Sequence, residues 1–421
     1  APDIYVRGTT FNSDVYITKT GGVNNHNDGR QNIFNGNLTI DQQSNSGYFM
    51  LGYNADDQFN GNITVSSTGA GGISLGWTGG TGSPTLAAGK TISIGAGGYS
   101  AGYLQLGGFI QPGTDPINLS LTGSASFYVV NPGTACSFNG PLTVTAPDIY
   151  LRGGVFNNTA TFTKTGGVSN HNNGRQNIFN GPLTINQQSS SGYFMLGYNS
   201  NDLFNDDITV TSTGSGGINL GYTSGSGTPT LASGKTILVG GAGFSDGFLN
   251  LNSFTQLGNA AVNLAFTGTN TTIRFANNSA IGGNLTVSSP DIYFDGCTFN
   301  GTVDAVKTGS RSNACVGGNT FNRQCNITNS GSNFFLLGNN YADVWNADVV
   351  FTDNGSDRML PAWSSAGNQF NGDIYLNTSG SATGIHFCGG NSTATATLAA
   401  GKTIYAGATG LNPGYVILRQ F

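Results

Sequence analysis

The stretch Phe34-Asn35-Gly36-Asn37-Leu38-Thr39-Ile40 decides how the chain folds. Leu38-Thr39-Ile40 alternates apolar, polar, apolar, the two-residue period of a β-strand, so Leu38 and Ile40 share one face and Thr39 takes the other. The Phe-Asn-Gly before it has the composition of a corner. The aromatic recurs at Phe11, Phe34, Phe59, Phe138, Phe156, Phe179, Phe204, Phe299, Phe321, Trp345 and Phe370, with most local spacings 22 to 25 and a minimum of 18 between Phe138 and Phe156. Each is followed by an asparagine: Asn12, Asn35, Asn60, Asn139, Asn157, Asn180, Asn205, Asn300, Asn322, Asn346 and Asn371. A second alternating run comes after the triplet, as in Tyr48-Phe49-Met50-Leu51 and Ile73-Ser74-Leu75.

At longer range the opening Ala1-Pro2-Asp3-Ile4-Tyr5 returns as Ala146-Pro147-Asp148-Ile149-Tyr150 and as Ser289-Pro290-Asp291-Ile292-Tyr293. The chain is therefore three tandem modules, 1–145, 146–288 and 289–421, the first two identical at roughly two-thirds of aligned positions. From the module's Pro to the Lys of Thr-Leu-Ala-(Ala/Ser)-Gly-Lys-Thr-Ile the distance is 88 residues for Pro2 to Lys90 and for Pro147 to Lys235, but 112 for Pro290 to Lys402. The excess of 24 is one whole short repeat with its own Phe370-Asn371-Gly372. A closed globular sheet rarely accepts such an insertion; a solenoid does, because each coil touches only its neighbours. The expected fold is all-β, a parallel β-helix (β-solenoid) of roughly 24-residue coils with no significant helix, the three modules forming one continuous solenoid. About 17 coils at ~4.8 Å each would make a rod on the order of 80 Å long.

Composition agrees. Charged residues are 8% of the chain, all 20 acidic residues are Asp, and 67 Gly and about 50 Asn fill the places that helix formers would take. A hydrophobic content of 37%, with 26 Phe and 16 Tyr regularly placed, excludes low-complexity disorder. A pI near 5.0 and 15 scattered cations exclude a nucleic-acid partner. No apolar run approaches the ~18 residues of a membrane span, and Ala1 opens no signal peptide. The chain is expected to be soluble and mature, or cut from something longer.

In stacked coils, like positions form columns. The asparagines are expected to make an amide ladder and the aromatics to stack inside the core, both structural; the Asn-Gly corner is expected to use positive φ. Cys325, four after Phe321, should point inward, and the five cysteines have no metal spacing and an odd count. A disulfide among the third-module cysteines is the one pairing left open. His26 and His171 read as solvated loop residues, and His386, aligned with Ser74, as facing solvent. Gly89-Lys90-Thr91 lacks the first glycine of a phosphate loop and reads as a turn into a strand. Asp57, Asp202 and Asp343, two before their aromatics, read as corner residues bonding their own backbone rather than as a calcium site. Nearly every Asp, Lys and His with a partner recurs at one module position, which suits structure rather than a unique catalytic groove. No catalytic, cofactor or metal residue is assigned, and no cofactor is expected. The outward column Thr39, Thr64, Thr143, Thr184, Thr209 and Thr286 lacks the paired rows of an ice-binding face.

Phe-Asn-Gly-x-(Leu/Ile)-Thr-(Val/Ile), Thr-Leu-Ala-Ala-Gly-Lys-Thr-Ile-Ser-Ile-Gly and Asp-Ile-Tyr-(x)₄-Thr-Phe-Asn resemble the β-strand-repeat regions of giant surface and secreted proteins of Bacteroidota. The resemblance covers the whole chain and implies secretion by the type IX route, an extracellular or cell-surface location and a structural or adhesive role. Gly414 to Phe421 matches Gly102 to Phe109, after which module one runs on, so a longer parent or a continuing second chain is expected. The expected function is a non-catalytic filament or stalk segment whose partners are further copies or repeats of itself. The alternative is an adhesin binding surface glycans at aromatics such as Trp77 or Tyr222, with an ice-binding protein and a polysaccharide-active enzyme as remoter readings.

Overall fold

The structure is a computed structural model that describes residues 1–27, 29–131, 133, 135–171 and 174–421. It is all-β: among the described residues there is no helix, and the strands are short and paired in parallel in long sheets, the arrangement of a parallel β-helix. The chain forms two compact units, Ala1–Ile208 and Thr209–Phe421.

In the first unit a coil typically contributes a short corner strand and two longer strands, as in Ile33–Phe34, Leu38–Gln42 and Tyr48–Leu51, with departures such as the two-residue Asn25–His26 and the eight-residue Ile92–Tyr99. The alternation read from Leu38-Thr39-Ile40 holds, because Leu38 and Ile40 are buried and Thr39 is half-buried. Pairing is in register from coil to coil: Leu38 lies beside Val15 and Ile63, and Phe34 beside Phe11 and Phe59. The second unit repeats the pattern, with Val349 beside Cys325 and Ile374. Corner strands run from Thr10–Phe11 to Leu203–Phe204 in the first unit and from Thr230–Leu231 to Ala396–Leu398 in the second, 17 among the described residues, in line with the about 17 coils expected from the spacing. The 24-residue excess of module three is built as a full coil, so four aromatic corners (Phe299, Phe321, Trp345, Phe370) precede the corner at Leu398.

Eleven aromatics do not fill 17 corners, and the motif missed the rest. Leu86 takes the place beside Phe59, Gln111 beside Phe138, Ile281 beside Phe299 and Leu398 beside Phe370, while Leu231 pairs with Gln256. The Asn-Gly corner also differs from expectation. Gly36, Gly61, Gly301 and Gly372 do not have positive φ. They are glycine because the coils touch there: a Cβ on Gly36 would lie 2.3 Å from the Ser13 carbonyl carbon, and one on Gly61 2.2 Å from the Gly36 oxygen.

The aromatics form the core's spine. In the first unit Phe11, Phe34 and Phe59 stack at 5.1 and 5.5 Å, and Phe138, Phe156, Phe179 and Phe204 at 5.5, 4.8 and 5.4 Å. In the second, Phe299, Phe321, Trp345 and Phe370 stack at 5.1, 4.0 and 6.1 Å. Phe11 is half-buried and the other ten are buried. Each such pair contributes about 0.5–1.5 kcal/mol beyond area burial. Phe321, held between Phe299 and Trp345, is the test: Phe321→Ala is expected to cost about 3–5 kcal/mol, read as a lowered denaturant midpoint. A loss under about 1 kcal/mol would mean that the spine is not where stability resides.

Candidate functional site

The asparagines after the aromatics lie on the exterior, one coil above another. In the first unit Asn35 Nδ2 donates to Asn12 Oδ1 at 2.8 Å and Asn60 to Asn35 at 2.9 Å. Asn139 donates to the Pro112 carbonyl at 3.1 Å, and Asn157, Asn180 and Asn205 each donate to the asparagine before at 2.7, 2.7 and 2.8 Å. In the second unit Asn322, Asn346 and Asn371 continue from Asn300 at 2.8, 2.9 and 2.9 Å. The inner amides of each run, Asn35, Asn139, Asn157, Asn180, Asn322 and Asn346, both give and take along the column.

A second polar set is buried, and the sequence reading missed it. Lys19, Lys164 and Lys307, at one module position, sit at the inward fifth place of their strands with no exposed side-chain surface. Lys19 Nζ donates to the carbonyls of Gly21 (2.7 Å) and Pro2 (3.2 Å), Lys164 to Pro147 (2.9 Å), and Lys307 to Gly309 (2.9 Å) and Asn333 (3.3 Å). Burial pushes the amines of Lys164 and Lys307 below the ordinary lysine value, against the pull of Asp148 and Asp291 respectively. The signal was present as Lys-Thr-Gly at each module start and as an alternation that puts Lys19 on the side of Val15 and Ile17.

Asp57, Asp202 and Asp343 do not simply bond their own backbone. Asp57 Oδ1 accepts the Asn32 amide of the neighbouring coil at 2.7 Å, and its Oδ2 accepts Gly52 N at 2.8 Å. Asp202 takes Asn177 N at 2.7 Å and Gly197 N at 2.9 Å, and Asp343 Oδ1 takes both Asn319 nitrogens at 2.9 Å. Each aspartate is thus a staple between coils, and each asparagine in turn caps the preceding one, as where Asn177 Oδ1 accepts Gly153 and Gly154 N. Burial raises the carboxyls of Asp202 to about 6 and Asp343 to about 7, outweighing these hydrogen bonds.

The histidines correct two further expectations. His26 and His171 are not merely solvated, since their Nε2 atoms meet the hydroxyls of Tyr48 and Tyr193 at 2.6 and 2.9 Å. Tyr48 belongs to an outward row, Tyr48, Trp77, Tyr103, Tyr128 and Tyr150, with centroids 4.6 to 6.4 Å apart, in which every ring is half-buried against the next. His386 is only 7% exposed. Its place is covered from the following coil: Tyr103 lies over Gly72 next to Ser74, Phe248 over Gly217 next to Asn219, and Tyr415 tilts over His386 at 5.1 Å. Trp77 and Tyr222 are half-buried, not freely exposed.

The open disulfide is not formed: Cys136, Cys297, Cys315, Cys325 and Cys388 are all free and buried, Cys325 inward as expected. Burial pushes the thiols of Cys136 and Cys325 up to about 12, far from a reactive thiolate. Lys90 sits at a turn, where Gly89 has φ +78° and donates its amide to Asp115 at 2.8 Å. Among the described residues no helix is long and apolar enough to cross a membrane. Comparison with protein families, with curated proteins and with solved structures found no match for this chain.

The raised aspartates set a pH dependence of unusual sign. A carboxyl whose folded pKa is above its unfolded value of ~3.9 stabilises the fold fully below that value, and the contribution is lost as pH rises through the folded pKa. For Asp202 and Asp343 that window closes at about 6 to 7. The denaturant midpoint is therefore expected to be higher at about pH 5 than at about pH 8, and Asp343→Asn should raise the pH 8 midpoint and flatten the profile. A profile that rises with pH over this range would refute the assignment.

Proposed function

We propose that this chain is a non-catalytic structural segment of an extracellular filament or stalk, of the kind carried by bacterial surface proteins, and that further copies or repeats of the same protein are its partners. The observation that carries the reading is where the repeated polar groups go. The exterior asparagines, the Asn-Asp staples and the buried lysines, each present in all three modules, are committed to hydrogen bonds that tie coil to coil or close a turn. A chain that commits its repeated polar groups in this way is built to hold its form. With few ion pairs to screen, it should also hold in high salt. Secretion by the type IX route and an origin in Bacteroidota belong to the same proposal and rest on the sequence resemblance.

A second reading, a glycan-binding adhesin, is favoured by one observation: five outward aromatic rings in a row on the first unit, ending where the Arg152 guanidinium lies 5.3 Å over Tyr150. Antibody labelling of native cells and medium under the electron microscope separates the two. Labelled continuous fibres far longer than ~80 Å are expected for the structural segment. Labelled short stalks with distinct tips, together with saturable binding on a glycan array that Trp77→Ala lowers at least ~10-fold, would replace it by the adhesin.

A further inference from the structure

One cluster in the second unit departs from the repeat at several places at once. Three strands lie side by side there, Met359–Leu360, Gly384–Phe387 and Tyr415–Leu418, with His386 paired to Ile417. Aligned with the other modules, His386 stands where they have Ser74 and Asn219, Ile417 where they have Gln105 and Asn250, and Arg419 where they have Gly107 and Asn252. In module two Asn250 Nδ2 donates to Asn219 Oδ1 at 2.9 Å, although Asn219 Nδ2, like Ser74 Oγ in module one, stays buried without a partner. Ile417 can neither donate nor accept, and His386 Nε2 is left buried without a partner.

That imidazole lines a cavity of about 250 Å³ together with Arg358, Trp363, Gly389, Ile417 and Arg419. Arg358 Nε is bonded to Asp357 at 3.0 Å, and Arg419 pairs with no carboxylate among the described residues. Two guanidiniums and one carboxylate leave a net positive charge at the mouth. Trp363 lies against the bare backbone of Gly389 and Gly390, where a Cβ would meet its ring at 2.4 and 2.8 Å, so the indole is seated by the absence of two side chains.

We infer that this cavity binds an oxyanion, a sulfate, phosphate or carboxylate group, held by Arg358 and Arg419 and by a hydrogen bond to His386. Guanidinium is the side chain whose donors match such a group, a neutral imidazole supplies one N–H, and the indole offers a flat wall to whatever carries the anion. Burial first, then Arg358 and Arg419, push His386 below the ordinary histidine value, with Asp357 opposing, so the ring is neutral and ready to donate at neutral pH. The larger cavity around Arg274 is a weaker candidate, because Asp295 already holds that guanidinium at 2.6 Å. The inference stands apart from the structural-segment proposal: a scaffold and an adhesin could each carry such a site.

The chain has only three histidines, so its labelled imidazole signals report on the site with two internal controls. A bound anion stabilises the imidazolium. Sodium sulfate is therefore expected to raise the pKa of His386 saturably by about half a unit or more, relative to sodium chloride at equal ionic strength, while His26 and His171 stay put. Arg419→Asn, which places there the residue type that module two has at Asn252, should keep the other signals and weaken the effect at least ~5-fold. Equal shifts in chloride and sulfate, or an effect that survives Arg419→Asn, would overturn the inference. Repeating the titration with methyl glucuronide and a sulfated disaccharide identifies the source. Binding at least ~10-fold tighter than sulfate supports the site as one that reads the anion on a sugar, and equal affinity supports it as one for the free anion.

Discussion

In-register parallel pairing sets residue against like residue at a spacing of about 4.8 Å, and most of what this chain does follows from that spacing. A side chain is admitted to a column only if it can lie beside a copy of itself. Planar rings can, which is why the corner column is Phe on Phe at 4.8 to 5.5 Å in the first unit. Amides can, because each carries both a donor and an acceptor. Like charges cannot, and a chain built on this plan is left with 8% charged residues.

The same constraint explains how charge enters when it does. Buried lysines occur once per module, at Lys19, Lys164 and Lys307, so no two share adjacent coils; the next coil brings Gln42, Gln187 or Asn329 to the same place. Each ammonium then donates to backbone carbonyls beside it, and the desolvation that lowers its pKa is partly offset. Aspartates are spaced likewise. Asp57 and Asp202 meet Asn32 and Asn177 on the neighbouring coil rather than a second carboxylate.

The sequence made the repeating features legible because each was stated many times. The triplet Leu38-Thr39-Ile40, the aromatic and its asparagine, and the inserted coil at Phe370 all translate directly into pairing partners. What was not legible depends on neighbouring coils. Gly36 reads as a turn glycine until the approach of Ser13 is seen, and a strand pattern that sends His386 outward cannot know that Tyr415 folds over it. Leu86 and Gln111 were missed for a simpler reason: the column accepts them, but they are not aromatic, so a search for aromatics passes over them.

Recurrence and departure therefore carry different information in such a chain. A residue at the same place in every module meets a requirement that every coil shares, and that requirement is geometric. A residue that breaks the column must be reconciled with neighbours selected for something else. Where Arg274 and Asp295 break it together, they meet at 2.6 Å and the departure closes on itself. His386 and Ile417 break it side by side, and the departure stays open, with a buried nitrogen unanswered and an unpaired guanidinium at its rim. An unanswered buried polar atom recurs there at Ser74 Oγ and Asn219 Nδ2, but the guanidinium does not, since modules one and two have Gly107 and Asn252 where Arg419 stands. Something outside the repeat is the more economical account of why that place is positive and hollow at once.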